Sequence, residues 1–140
     1  MNALPDIERR LTQLLDGSPT AGDAGELLGL AEDVLVHWVS ARDESPTTAT
    51  REGFRLLALH RQGARDLPEF NACRETCREL VYHYNLLTLQ AGHADAGARA
   101  RMMALLANHL YLFVAGKLQV ERLGEFCCAS RPLRADAGGV

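Results

Sequence analysis

Along this chain the apolar positions return at steps of three and four, the spacing of helices that bury one stripe. No stretch combines strict alternation with β-branched enrichment, so the pattern predicts helices and no sheet. A first helix is expected over residues 5–15, with Ile7, Leu11, Leu14 and Leu15 on one face and Asp16, Gly17, Ser18 and Pro19 as its stop. A second is expected over residues 24–41. Asp23 opens it with Glu26 three residues on, a spacing that lets each side chain bond a free backbone N–H, and Leu27, Ala31, Val34, Leu35 and Trp38 form its stripe. Ser45 and Pro46 give a third start signal, predicting a helix to about Gln62 that carries Phe54, Leu57 and Ala58 and stops at Gly63.

The fourth predicted helix has the clearest repeat. Asp66 and Glu69 can cap it reciprocally, and Phe70, Cys73, Cys77, Leu80, Tyr84, Leu87 and Ala91 follow at alternating steps of three and four until Gly92. Asp95 then opens a fifth helix over residues 96–128, the longest of the set. Between Met102 and Val114 it is apolar on every side, and further on Gly116, Val120, Leu123 and Cys127 continue as one narrower stripe. Pro132, Gly138 and Gly139 mark residues 131–140 as a flexible tail. The expected architecture is an all-α antiparallel bundle of four to five helices without a sheet, built as one domain over residues 1–130.

The two late helices carry more apolar surface than one small bundle has use for. Tyr82, Leu86 and Leu89 form a second edge on the fourth helix, and Met102, Leu105 and Leu112 a second face on the fifth. Surplus greasy faces predict a further contact, with a second copy of the chain or with a different protein.

Composition narrows the function classes. The chain has 140 residues, 47% of them hydrophobic and 6% aromatic, with 18 acids against 15 bases for a net charge of −3. That balance argues against binding driven by nucleic-acid phosphates, which goes with a basic excess. The charge is unevenly spread: residues 1–50 hold nine acids and three bases, the remainder nine acids and twelve bases. An acidic leading third can steer a basic partner or orient a dimer. Lys117 is the only lysine among the basic residues, a bias expected of a GC-rich bacterial genome. Pro5, Asp6 and Glu8 interrupt the place where a secretory signal needs an apolar run, and the stretch from Met102 to Gly116 holds Asn108 and His109 and is short for a membrane span. A cytoplasmic location follows as the expectation, with the four cysteines as free thiols.

Candidate chemistry is sparse. Cys73 and Cys77 lie one turn apart on the core stripe, where two thiols act first as small hydrophobes and, with His109, could hold a soft metal. His37 follows Asp33 by four residues and His83 follows Glu79 by four, spacings that predict ion pairs on polar faces, while His60 and His109 border apolar ones. The Glu-x-x-His pairs of di-iron bundles are absent, as are a phosphate-cradling glycine loop, H-E-x-x-H and G-x-S-x-G, so no enzyme and no cofactor are expected. The third and fourth helices outline a helix-turn-helix bearing Arg51, Arg55, Arg61, Arg65, Arg74 and Arg78. Glu52, Asp66, Glu69, Glu75 and Glu79 nearly cancel them. The leading expectation is therefore a non-catalytic regulatory interaction module, homodimeric, in the manner of an anti-activator or adaptor that binds a transcriptional regulator through Tyr82, Leu86, Leu89, Met102, Leu105 and Leu112. The alternatives are a metal- or redox-sensing bundle using Cys73 and Cys77, and a DNA-binding regulator.

Overall fold

The computed structural model describes residues 1–121. Five α-helices follow one another: α1 (Leu4–Asp16), α2 (Ala24–Ala41), α3 (Arg55–Gly63), α4 (Arg74–Leu89) and α5 (Ala96–Val120). Two 3-10 segments, Ala21–Asp23 and Pro68–Cys73, lead into α2 and α4, and no strand occurs among the described residues. The chain is an all-α bundle. α2 packs against each of the other four helices and α5 against α1, α2 and α4, so α1, α5, α4 and α3 wrap around α2.

The periodicity translates directly into burial. Ile7, Leu11, Leu27, Val34, Leu35, Trp38, Cys77, Leu80 and Leu87 are all sealed in the core. On α5 the inward face is Ala100, Met103, Ala104, Ala107, Leu110, Val114 and Leu118, and its small residues let α2 and α4 approach closely. Among the described residues this is the one helix long and apolar enough, by length and composition, to cross a membrane, and that face lies inside the bundle.

Three expectations shift. The third helix begins at Arg55 and not near Pro46. Two turns displace it: Asp43 turns the chain out of α2 with φ of 61°, and Glu52 and Gly53 turn it back with φ of 54° and 86° while Arg51 and Phe54 exchange both backbone hydrogen bonds at 3.0 Å. Left-handed backbone at two successive central residues is the reverse turn that tight hairpins use. The intervening segment is held by side chains: Gln62 Oε1 accepts from Thr47 N–H at 2.8 Å, Gln62 Nε2 donates to the Ser45 carbonyl at 2.8 Å, and Arg55 Nε donates to the Thr47 carbonyl at 2.9 Å. The fourth helix starts later as well. Asp66 has φ of 62°, which disqualifies it as a helix cap, and Pro68 opens a 3-10 segment that becomes α-helical at Arg74. At α2 the expected partnership of Asp23 and Glu26 does not form. Asp23 accepts from Thr20 N–H at 2.8 Å, while Glu26 reaches across to Arg10. The rest of the fifth predicted helix, with Leu123, Cys127 and Cys128, and the predicted tail over 131–140 lie outside the described residues.

The helices lock around one aromatic cluster. Trp38 of α2 stacks on Phe70 with centroids 4.8 Å apart, and Phe70 meets His60 at 5.5 Å and Phe113 at 5.5 Å. Trp38 Nε1 donates to the Gly63 carbonyl at 3.0 Å, which Arg42 also reaches at 3.2 Å while its guanidinium lies over the indole. Gly63 must lack a side chain, because a Cβ there would fall 2.7 Å from Trp38 Cδ1. The residue that reads in the sequence as a helix stop is equally a packing requirement.

Candidate functional site

Three features of the surface and core bear on function. The first is the outer face of the α4–α5 hairpin. Tyr82 is 59% exposed, Leu89 83%, Met102 44%, Leu105 43% and Leu112 56%, so five of the six residues singled out from the sequence face solvent as expected. Leu86, the sixth, is half-buried. Helical spacing puts Met102, Leu105, His109, Leu112 and Gly116 on one line along α5, and no Asp, Glu, Lys or Arg occurs from Met102 to Gly116.

The second is a buried thiol pair. Cys73 and Cys77 are free and enclosed, and Cys73 Sγ–H donates to the Phe70 carbonyl at 3.3 Å. His60 Nε2–H donates to that same carbonyl at 3.1 Å, so two side chains serve the one backbone oxygen. A bond from Cys77 and, after it, the nearby His60 bring the Cys73 thiol down to about 6 against the opposing effect of burial, and Cys77 is pushed well up by the same bond and by burial. The pair gives up one proton readily and holds the other. His109 does not join it, since it lies on the exposed face of α5. Among the described residues no group of three or more His, Cys, Asp or Glu side chains could hold a metal ion, so the ligand set of Cys73, Cys77 and His109 does not assemble.

The other two histidines also depart from expectation. His37 Nε2–H donates to the Asn2 carbonyl at 2.7 Å, while Asp33 accepts from Asn2 N–H and Nδ2. His83 Nδ1–H donates to the backbone carbonyl of Glu79 at 2.9 Å. Each ring is satisfied by a carbonyl, which supplies a hydrogen bond without the cost of fixing two long charged side chains.

The third feature gathers five of the six arginines of the outlined helix-turn-helix, a clustering the summed charge of the segment conceals. A cleft of about 390 Å³ between α3 and the first turns of α4 is lined by Arg51, Arg61, Arg65, Arg74 and Arg78, with His60 and Asn71 beside them. A second lobe shares Arg51, Arg61 and Arg65 and adds Ser45, Thr47 and Thr50. No acid lines either lobe. At the rim Glu44 reaches Arg65 at 3.6 Å and Glu52 reaches Arg78 at 3.1 Å. Summed along the segment the charges nearly cancel; in space the arginines gather while Glu75 and Glu79 stand on the solvent side of α4. The legible signal was two Arg pairs four residues apart, Arg61 with Arg65 across the end of α3 and Arg74 with Arg78 on the first turns of α4. Arg55 is not part of the cleft, its Nε being spent on the Thr47 carbonyl.

The acidic leading third is partly neutralised within the bundle: Asp6 pairs with Arg9 at 2.6 Å, and Glu26 with Arg10 through two bonds of 2.5 and 2.9 Å. Comparisons with known protein families, curated proteins and solved structures found no match to this chain, so its function is argued from its own residues.

Proposed function

We propose that this chain is a non-catalytic interaction module of the cytoplasm that pairs with a second copy of itself through the outer face of the α4–α5 hairpin. The observation that carries the reading is the uncharged apolar line Met102, Leu105 and Leu112, flanked on α4 by Tyr82 and Leu89. Exposed apolar side chains clustered on one helix pair gain free energy when covered, at about 25 cal/mol per Å² of apolar surface. A second copy is the occupant that the charge pattern favours. A two-fold axis sets each residue near its own kind, which a charged stripe resists and a neutral one accepts. In such a dimer the face forms a helical seam, and the bundle acts in regulation as an adaptor or anti-activator that occupies a transcriptional regulator.

Sedimentation equilibrium on the full chain tests the pairing. The expected result is a dimer that Leu105→Asp with Leu112→Asp turns into a folded monomer, the circular dichroism remaining helical. A monomeric wild-type chain, or a dimer untouched by both substitutions, overturns it.

A thiol-based sensor is the second reading, favoured by Cys73 and Cys77 sharing a proton beneath His60. Thiol counting before and after mild oxidant, with elemental analysis of the purified protein, separates it from the first. Loss of one titratable thiol in wild type but none in Cys73→Ser supports it, and no change in wild type removes it.

A further inference from the structure

We propose that the cleft between α3 and the first turns of α4 binds a small molecule carrying two or more phosphoryl groups, a site distinct from the apolar face and resting on different residues. Five arginines are among the residues that line a cleft of about 390 Å³, and no acidic residue lines it. Among the described residues Arg51, Arg61 and Arg74 make no ion pair, while Arg65 and Arg78 keep Glu44 and Glu52 at the rim. Like charges around one concavity repel each other and focus a positive field into it, and a bound polyanion relieves the repulsion. Phosphoryl oxygens suit the task because the planar guanidinium fork donates two parallel N–H bonds to them. Three unpaired cations call for more charge than a single carboxylate brings.

Part of the lining is held by bonds within the protein before any ligand arrives. Gln62 ties the chain at Ser45 and Thr47, and Glu52 holds the Arg78 guanidinium through contacts of 3.1 and 3.3 Å. Preorganised donors bind without first losing side-chain freedom, which favours affinity. The second lobe continues from the same arginines toward the hydroxyls of Thr47 and Thr50, giving the non-phosphate part of the ligand polar groups to bond. The volume lies in the range of about 300–1,000 Å³ usual for small-molecule pockets. A nucleic-acid duplex fits the site less well: the basic groups line a concavity between a short α3 and one end of α4, and the chain as a whole carries −3.

Isothermal titration of the full chain with inorganic pyrophosphate, with inorganic phosphate and with a short DNA duplex tests the site. The expected result is saturable one-to-one binding of pyrophosphate, weaker binding of phosphate, and a loss of about tenfold or more in pyrophosphate affinity for Arg61→Ala and for Arg74→Ala. Both side chains are exposed and without ion pairs, so the variants keep the fold, which circular dichroism verifies. Arg74→Lys retains the charge without the fork and falls between wild type and Arg74→Ala. Arg9→Ala, on α1, leaves binding unchanged. Absence of saturable binding overturns the proposal, as does an equal loss in Arg9→Ala, and so does a duplex that displaces pyrophosphate with steep salt dependence. None of these outcomes alters the oligomeric state, so this site and the pairing face fail or stand separately.

Discussion

Gly63 and Trp38 illustrate how one residue can meet two demands at once. The glycine ends α3 and offers its carbonyl to the indole, and the ring lies where any side chain on Gly63 would be. Gly63→Ala is expected to destabilise the bundle by about 1–3 kcal/mol, because a planar ring stacked on Phe70 cannot give way. Chemical denaturation followed by Trp38 fluorescence reads that change. At Cys73 the proton is shared and the acidity belongs to the pair. Cys77→Ala removes the hydrogen bond that does most to acidify Cys73, so the Cys73 transition moves from about 6 toward the ordinary thiol value of about 8.5, as thiolate absorbance in the ultraviolet will register. The sign for stability follows. A thiol whose folded pKa is lowered stabilises the fold above its unfolded pKa, and that stability is lost as pH falls through about 6; the raised Cys77 acts oppositely and loses its contribution as pH rises past the ordinary thiol value. Stability of the wild type therefore climbs between these limits, and in Cys77→Ala the climb flattens. Burial of both thiols was legible from the core stripe. The influence of His60 on Cys73 was not, since it depends on α3 lying beside the 3-10 segment that leads into α4.

Element by element, the hydrophobic period decides existence and the local hydrogen bonds decide ends. α2 spans the residues expected of it, yet its predicted cap is replaced: Glu26 serves the neighbouring α1 through Arg10. That contact lowers the Glu26 carboxyl below its ordinary range, the Arg10 hydrogen bond being the largest cause. A depressed carboxyl contributes stability above its unfolded pKa and loses it as pH falls through the lower folded value. Arg10→Ala is expected to lower stability only slightly near neutrality, the pair being exposed to solvent, and the difference from wild type narrows as pH falls through the carboxylate range. Thermal unfolding across that pH range measures it. The third helix starts at Arg55, later than Pro46 implies, because Pro46 opens a helix only in isolation. In the folded chain Gln62 occupies the backbone of the preceding segment, and the Glu52–Gly53 turn resets the direction of the chain only two residues before α3.

At the scale of the whole molecule, two surfaces of opposite character lie on different parts of α4. Its first turns carry Arg74 and Arg78 into the cleft, and its second half carries Tyr82 and Leu89 onto the apolar face. Salt distinguishes them: raising ionic strength is expected to weaken pyrophosphate binding several-fold while leaving the dimer as strong or stronger, because screening acts on charges and apolar burial is indifferent to it. Calorimetry and sedimentation at two salt concentrations test both at once. The sequence by itself determined the helical class, the inward stripes and the excess of apolar surface late in the chain, because those depend on the 3.6-residue period and on nothing distant. Only the tertiary structure decided that His109 stands apart from the thiols and that five arginines close around one cleft. Charge and ligand geometry are sums over space: residues far apart in order can share a site, and a carboxylate next in order can face away.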